Sequence, residues 1–312
     1  MQESRQEIAV IIPVLNEDVI VEEALTKVDG ILSANFNSYK IICIDDGSTD
    51  NTWEILKKQS EKNDNIVGVK LSKNFGHDAA LFSGMQKVSA DAYITMDCDG
   101  EHPFELIPEI YKKWRSSNCD VVNMVKGRRR KDGYLYGLGV KIANKIVGGD
   151  MGVDLANASE FKLLSHRART TLISLKDAYV YYRALVPWIG LPQVDMTYDA
   201  VSAFRDSSRW SFSALVNFAV SGMVLFTNLP LRVMIWLGLL VFVICIFLGV
   251  KLFYSMVFGV VQDGYATLLL LVLINLSITM IGIGGLGIYI SAILRQSLDR
   301  PRSIIEKTTD EK

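Results

Sequence analysis

The stretch AYITMDCDGEHP, residues 92–103, joins an apolar run to two closely spaced carboxylates. The apolar part is typical of a buried strand, and Pro103 stands where a helix can begin. Side chains two apart on a strand point to the same face, so Asp97 and Asp99 can both meet one hard cation at the carboxyl end of that strand. An isolated D-x-D pattern is more often a solvated acidic turn, so the neighbouring segments decide its meaning.

Those neighbouring segments alternate buried strands with helical patterns. Apolar runs at residues 7–13, 40–44, 66–71 and 120–125 indicate strands buried on both faces, and the run from residue 92 is predicted to end at Asp97. This alternation predicts an α/β fold with a doubly wound, mostly parallel sheet, which binds ligands at the carboxyl ends of its strands. The polar residues at those ends are Asn16, Glu17, Asp45, Asp46, Asn74, Asp97 and Asp99.

Composition and missing motifs exclude several functions. The formal net charge of −1 over 312 residues does not indicate nucleic-acid binding, and four cysteines without C-x-x-C spacing indicate reduced thiols. Neither a dinucleotide-binding G-x-G-x-x-G after the first strand nor a P-loop is present. A carboxylate pair on such a sheet, without a phosphate loop, fits a sugar-nucleotide site in which Mg²⁺ or Mn²⁺ neutralises the diphosphate.

Four segments in order carry a resemblance to a known family. They are VIIPVLNE (residues 10–17), IDDGSTD (44–50), LSKNFG (71–76) and MDCDGEHP (96–103). Together they resemble the family 2 glycosyltransferases of GT-A fold. Within that family the chain most resembles the polyprenyl-phosphate glycosyltransferases, such as bactoprenol glucosyltransferases and dolichol-phosphate mannose synthase.

The resemblance implies a role for each strand-end residue. Asp45 and Asp46 are expected to contact the nucleotide, and Asp97 and Asp99 to bind the diphosphate through the metal, with Asp99 also catalytic. The remaining residues expected in the nucleotide-sugar pocket are Pro13, Asn16, Glu17 and Asn74. His77 is expected at the cleft edge or the start of a helix, without a catalytic role.

The acceptor side is predicted from the middle of the chain. The basic run KGRRRKDG, residues 126–133, is either a solvated loop or a loop that meets lipid headgroups or the acceptor phosphate. The resemblance favours the second interpretation and so assigns Arg128, Arg129 and Arg130 to the acceptor. Residues 157–167 resemble the family's G-D-F-R-L-(M/L)-S-R. Glu160 replaces the usual Asp and is expected to be catalytic near the acceptor, and Lys162 replaces the usual Arg and is expected to bind the acceptor.

A second departure from the family lies further along the chain. Residues 207–210 resemble its (E/D)-(S/T)-K-(W/Y/F) motif, but Ala200 and Ala203 stand where the family places arginines. The phosphate-binding set is therefore expected to shift to Arg205 and Arg209.

The last third of the chain is predicted to associate with a membrane. Spanning helices are expected at about residues 233–257 and 266–293, after a cytosolic GT-A domain (1–211) and an interfacial helix region (212–231). Basic residues flank the pair of spans and none lies between them after Lys251, so both termini, including the tail 296–312, are predicted to be cytosolic.

Together with the resemblance, these observations predict a metal-dependent transfer of glucose from UDP-glucose to undecaprenyl phosphate at the cytosolic face of the inner membrane. The resemblance implies that this transfer inverts the anomeric centre. A homo-oligomer is expected, with a flippase and a second glycosyltransferase acting downstream in cell-surface glycan (O-antigen) modification. Three alternatives stay open. They are transfer of another sugar (mannose from GDP-mannose, aminoarabinose or N-acetylhexosamine), a processive polysaccharide synthase suggested by Arg209-Trp210, and a non-catalytic membrane scaffold.

Overall fold

The computed structural model describes residues 6–126, 159–175, 181–198, 229–258, 264–298 and 300–310. The chain divides into two compact units. The first comprises residues 1–148, 152–209 and 300–312, and the second comprises 149–151 and 210–299. The predicted sites at Arg128, Arg129, Arg130, Arg205 and Arg209, and most of the predicted interfacial helix, lie outside the described residues.

The first unit is built on an eight-stranded sheet. The strands are β1 Gln6–Val14, β2 Tyr39–Asp45, β3 Ile66–Leu71, β4 Ala90–Thr95, β5 Val121–Lys126, β6 Lys162–Ser165, β7 Gln193–Tyr198 and β8 Ile305–Thr308. Their order in the sheet is β7-β5-β6-β4-β1-β2-β3-β8. Strands β3, β2, β1 and β4 run parallel, as do β5 and β7, whereas β6 is antiparallel to both its neighbours and β8 is antiparallel to β3. The predicted α/β fold with a mostly parallel sheet is confirmed.

Helices cover both faces of the sheet, which explains why its central strands are continuously apolar. The helices are α1 Val21–Asn35, α2 Thr52–Lys62, α3 His77–Lys87, α4 Ile107–Ser116 after a 3-10 turn at Phe104–Leu106, α5 His166–Ser174 and α6 Tyr182–Trp188. On β1, Val10 packs into one buried cluster with residues of α1, α2 and α4, while Ile11 packs into the other with residues of α3, α5 and α6.

Two predicted strand ends are wrong. Strand β1 runs past the predicted end at Pro13 to Val14, where the chain pairs with β2 alone because the β4 ladder ends at Ile11. Strand β4 ends at Thr95, two residues before the predicted end, because its partner there is Lys162, the first residue of β6. The two carboxylates of the D-x-D pair therefore lie in the following loop, and strand alternation does not set their common face.

The end of the chain is part of the sheet. Thr308 of β8 pairs with Val69 of β3, and the amide N–H of Ser72 donates to the carbonyl of Ile304 at 2.9 Å. Thr309 closes the strand, because its Oγ1 accepts from the Gly68 N–H at 2.9 Å and its own N–H donates to the Gly68 carbonyl at 3.0 Å. Strand β8 thus covers the edge of β3, which the predicted tail 296–312 did not anticipate.

The residues just before β8 are attached to α3. The guanidinium of Arg302 lies 4.5 Å from the centre of the Phe82 ring and donates to the carbonyl of Leu175. The hydroxyl groups of Ser303 and Ser83 are hydrogen-bonded to each other. The first unit is therefore assembled from both sides of the apolar segment in the chain.

The second unit contains two long helices, α7 Leu229–Val257 and α8 Tyr265–Ser297. Both are long and apolar enough to cross a membrane, with the most apolar windows at Val233–Lys251 and Ile274–Ser291. A Cβ atom on Gly282 would lie 2.5 Å from the Cε atom of Met234, so the helices approach closely at that glycine.

Candidate active site

The turn after β2 holds a carboxylate with one unsatisfied oxygen. Asp45 is fully buried, and its Oδ1 accepts a hydrogen bond of 2.7 Å from the Ser48 N–H. Its Oδ2 is also buried, yet it accepts no hydrogen bond from the described residues. Leaving a buried acceptor unpaired costs about 1–3 kcal/mol. Asp45 is therefore suited to receive a hydrogen bond from a ligand.

Asp46 ties this turn to the loop before α3. Its two carboxylate oxygens accept hydrogen bonds from the N–H groups of Phe75 at 2.8 Å and Gly76 at 2.9 Å. Burial raises the pKa of Asp46 above its usual value, although these two N–H donors act in the opposite direction. Because both oxygens are already used, Asp46 holds the loop in place and has less capacity than Asp45 for direct contact with a ligand.

Gly47 lets the same two segments approach each other. Its φ of +75° lies in the left-handed region, and a Cβ atom there would lie 2.5 Å from the carbonyl carbon of Lys73 and 2.7 Å from the Asn74 nitrogen. Asn74, a predicted pocket residue, is thereby placed beside the β2 turn.

The loop after β1 is clamped onto that turn by side-chain hydrogen bonds. The N–H of Asn16 donates to Ser48 Oγ, and Asn16 Oδ1 accepts from the Thr49 N–H, both at 2.9 Å. The Glu17 N–H donates to Thr52 Oγ1 at 2.9 Å. Asn16 adopts a φ of 57°, which asparagine tolerates better than most residues. The structure thus brings Asn16 and Glu17 to the Asp45 turn, while Pro13 is buried within β1.

Two histidines contact Asp97 in the loop after β4, His77 from the start of α3 and His102 from the loop itself. The Nε2 atom of His77, the first residue of α3, lies 2.8 Å from Asp97 Oδ1. The Nδ1 atom of His102 accepts a hydrogen bond of 3.0 Å from the Asp97 N–H, and its ring stacks on Phe161 at 5.0 Å. Asp99 is turned back on its own loop, since its Oδ1 accepts from the Glu101 N–H at 2.9 Å.

The charges of this loop favour an ion pair at Asp97. Burial lowers the pKa of His77, but the carboxylates of Asp78 and Asp97 outweigh it and raise that pKa to about 10. Burial acts in the opposite direction on Asp97 and raises its pKa, but His77 and His102 outweigh burial and hold that pKa below its usual value. The pKa of Asp99 is raised, by burial and by repulsion from Asp97. Asp97 is therefore the carboxylate that ionises more readily of the two.

Glu160, two residues before β6, reaches the same place and is held by an arginine that sequence reasoning missed. Its Oε1 and Oε2 accept hydrogen bonds of 2.8 Å each from Nε and Nη2 of Arg183, in a bidentate ion pair. One ligand atom each of Glu160, Asp97 and His77 lie within 4.8 Å of one another. No motif in the sequence marked Arg183, whose only signal is its position in the short helix α6.

Lys162 has a different environment from the one predicted for it. Its side chain is 1% exposed, and its Nζ donates to Asn123 Oδ1 at 2.7 Å. Burial, together with repulsion from Arg183, lowers the pKa of Lys162 to about 8. Lys162 thus lies within the sheet, and its predicted contact with the acceptor would require a movement of this side chain.

The residues of the β4 loop fit a divalent metal ion. Carboxylate oxygens are the ligands that Mg²⁺ prefers, and Mn²⁺ also accepts an imidazole nitrogen. Asp97 and Asp99 offer the predicted carboxylate pair. Glu160 and His77 add two possible ligands that the sequence did not predict, and His77 would first have to give up the proton that its ion pair with Asp97 favours. Asp97 belongs both to the predicted carboxylate pair and to the group that it forms with His77 and Glu160.

Residues 9–174, more than half of the chain, match the family described as Glycosyl transferase family 2. An uncharacterized glycosyltransferase of Synechocystis sp. is 27% identical over 96% of this chain and 94% of that protein. Bactoprenol glucosyl transferase of Shigella phage SfII is 29% identical over 96% of this chain and 98% of that protein. A crystal structure of glucosyl-3-phosphoglycerate synthase from Mycobacterium tuberculosis, with Mn²⁺, UDP-glucose and phosphoglyceric acid, is 16% identical, with a TM-score of 0.49 over 70% of this chain and 78% of that chain.

Proposed function

This chain belongs to glycosyl transferase family 2 and is a glycosyltransferase, and we propose that it transfers a hexose from a sugar nucleotide to a polyprenyl phosphate. Glucose from UDP-glucose is the proposed donor and undecaprenyl phosphate the proposed acceptor, because relatives similar over nearly their whole length are named bactoprenol glucosyl transferases. The alternative is transfer of another sugar, such as mannose from GDP-mannose, aminoarabinose or N-acetylhexosamine, to the same acceptor.

The observation that carries the donor side is the unsatisfied oxygen of Asp45. A nucleobase that carries a ring N–H would donate to Asp45 Oδ2 and remove the cost of leaving it unpaired. The loops held by Asn16 and Asp46 are attached to the turn that carries this carboxylate. This arrangement supports a nucleotide site at the carboxyl ends of β1 and β2.

The diphosphate is assigned to the loop after β4. Asp97 and Asp99 would hold Mg²⁺ or Mn²⁺, which when bound supplies electrophilic stabilisation of the leaving diphosphate. Asp97 is kept ionised by its ion pair with His77 and is therefore ready to act as a ligand.

The proposed transfer needs little proton chemistry from the protein. An oxygen of the phosphate monoester, already anionic at neutral pH, forms a bond to the anomeric carbon while the bond from that carbon to the nucleoside diphosphate breaks. The protein then contributes mainly the placement of the two substrates. Glu160, paired with Arg183, lies next to Asp97 and is the residue assigned to the acceptor side.

The apolar segment supports an acceptor that resides in a membrane. Residues on both sides of α7 and α8 belong to the same compact unit, so the intervening chain would cross a bilayer an even number of times. We assign two crossings, with the catalytic unit and both termini at the cytosolic face of the inner membrane. A homo-oligomer, a flippase and a second downstream glycosyltransferase remain part of this proposal.

The test is a transfer assay with the full chain in lipid nanodiscs. Purified protein is incubated with undecaprenyl phosphate, Mg²⁺ or Mn²⁺, and each of several labelled sugar nucleotides. A single lipid-linked sugar is expected, formed fastest from UDP-glucose, and the Asp99→Ala variant is expected to lose it. A labelled polymer would instead indicate a processive synthase, and absence of any product with the whole panel would contradict the proposal. Full activity of Asp99→Ala would overturn the metal assignment.

A further inference from the structure

The ion pair between Arg183 and Glu160 has an unusually defined geometry for two partly exposed side chains. Both bonds are 2.8 Å long and join the guanidinium edge to both carboxylate oxygens, while the Arg183 side chain is 41% exposed and that of Glu160 is 18% exposed. A planar guanidinium fixes the plane of a carboxylate as well as its position. This contact therefore determines how Glu160 is oriented.

Buried hydrogen bonds anchor the backbone on both sides of this ion pair. The hydroxyl of Thr95, the last residue of β4, donates to the carbonyl of Glu160 at 2.6 Å and is 2.9 Å from the hydroxyl of Tyr182. Thr95 and Tyr182 are both fully buried, and Tyr182 precedes Arg183 directly. The backbone at both partners of the ion pair is therefore anchored to Thr95, which lies two positions before Asp97.

Arg183 also balances charge where carboxylates crowd together. A Glu160 oxygen and an Asp97 oxygen lie within 4.8 Å of each other, so the two groups repel unless cations compensate them. Among the described residues, His77 contacts Asp97 and Arg183 contacts Glu160. Without the guanidinium, we expect Glu160 to turn away from Asp97 towards solvent.

We propose that Arg183 is a positioning residue, which holds the Glu160 carboxylate beside Asp97 in the orientation that the transfer requires. This inference rests on the proposed function, in which Glu160 lies at the acceptor phosphate and Asp97 at the donor diphosphate. The neutral ion pair presents an oriented carboxylate to an incoming phosphate without adding a net negative charge.

The test is a double-mutant cycle on lipid-phosphate-dependent sugar transfer, with Glu160→Gln, Arg183→Met and the double variant. Arg183→Met is expected to lower kcat about 100-fold and to change KM for the sugar nucleotide by less than about threefold, because it acts on an interaction made in the transition state. The double variant is expected to match Glu160→Gln within about threefold. Arg183→Lys should recover part of the loss, since it keeps the charge but not the bidentate geometry.

The matched control is Arg167→Met, which removes another arginine–carboxylate contact. Arg167 is an exposed residue of α5 whose Nη1 lies 3.2 Å from Oδ2 of Asp120, the residue before β5. It is expected to keep wild-type transfer. Thermal unfolding of each variant checks the fold, and if Arg183→Met does not fold, Arg183→Lys and Arg183→Gln replace it in the cycle.

Three results would overturn the inference. If the effects of the two single variants multiply, Arg183 does not act through Glu160. If Arg183→Met raises KM for the sugar nucleotide at unchanged kcat, it binds the donor instead. If the wild type makes no lipid-linked sugar from any nucleotide tested, the proposed function fails and this inference fails with it. That outcome differs from the first one, in which the wild type is active and the effects of the two single variants multiply.

Discussion

Two regions of the sheet hold the carboxylates assigned to the candidate site in different ways. In the β2 turn region, which comprises residues 45–50 with Asn16, the contacts run between side chains and the backbone N–H groups of nearby turns. In the β6 region, which comprises Glu160, Lys162 and Arg183, the contacts join side chains that come from different strands and helices. The first region is fixed by the course of the main chain, and the second by pairs of charged or polar side chains.

This difference has consequences for how each region responds to substitution. A carboxylate that accepts backbone N–H bonds stabilises the loop that donates them, so its loss should affect folding as well as binding. A carboxylate held by one arginine depends on that residue alone, so its loss should affect activity more than stability. The following predictions test this contrast, from the largest expected effect to the smallest.

The largest effect is expected from Asp97→Asn, at the junction of the two regions. The substitution removes the charge that pairs with His77 and a carboxylate assigned to the metal, so transfer should fall about 1000-fold or more. Binding of Mn²⁺ in the presence of UDP, measured by titration calorimetry, should weaken in parallel. The exposed Asp64→Asn variant serves as the control and should keep both properties. Retention of a tenth of wild-type transfer by Asp97→Asn would contradict the assignment.

A large loss of stability is expected from Asp46→Ala in the β2 turn region. The N–H groups of Phe75 and Gly76 lose their acceptors, which should lower the free energy of unfolding by about 2–4 kcal/mol. Asp46→Asn retains one acceptor oxygen and should lose less. Urea unfolding of the detergent-solubilised protein measures both variants, and an unchanged midpoint for Asp46→Ala would show that backbone contacts do not hold this region.

A smaller, pH-dependent effect is expected from Lys162→Met in the β6 region. The pKa of Lys162 is about 8 in the folded protein, against an ordinary lysine value near 10.4 in the unfolded chain. Between these values the unfolded chain binds more protons, so stability contributed by this residue rises with pH across that window and is constant below it. From pH 7.5 to 9.5, the wild type should therefore gain on the order of 1–2 kcal/mol relative to Lys162→Met. Parallel pH profiles of the two proteins would contradict the shift.

The smallest effect is expected outside both regions, from Gly30→Ala in α1. A Cβ atom at Gly30 meets nothing within 4 Å, and alanine favours a helix interior, so the free energy of unfolding should rise by about 0.5–1 kcal/mol. Transfer should stay at the wild-type rate. The same urea titration measures this change in unfolding free energy, for comparison with the variants in the β2 turn and β6 regions. A loss of stability in Gly30→Ala would contradict the prediction.

The contrast between the regions also explains how far the sequence could predict them. The β2 turn region was found because its contacts lie within short motifs, such as residues 44–50, and strand ends at one edge of a parallel sheet must meet. The four motifs also led to the family that residues 9–174 match. Arg183 was missed because its partner lies 23 residues earlier in the chain, and no local pattern records such a pairing.

Errors in strand assignment have a similar cause. The end of β4 depends on where β6 begins to pair with it, and that information lies near residue 162 and not near residue 95. Strand β8 has four residues, IEKT, with mostly exposed side chains, so it lacks the apolar alternation by which strands are recognised. Its strand conformation depends on pairing with the edge of β3, which exists only in the folded sheet.

The position of β8 sets an order of events during biosynthesis. Of the eight described strands it is the last to leave the ribosome, and it follows both apolar helices in the chain. Until then the edge of β3 stays open, and open strand edges promote aggregation. A chain whose translation stops before residue 305 would contain both helices but an incomplete sheet. Completion of this sheet is thereby coupled to translation of the helical segment, and chains that terminate early are expected to expose the edge of β3.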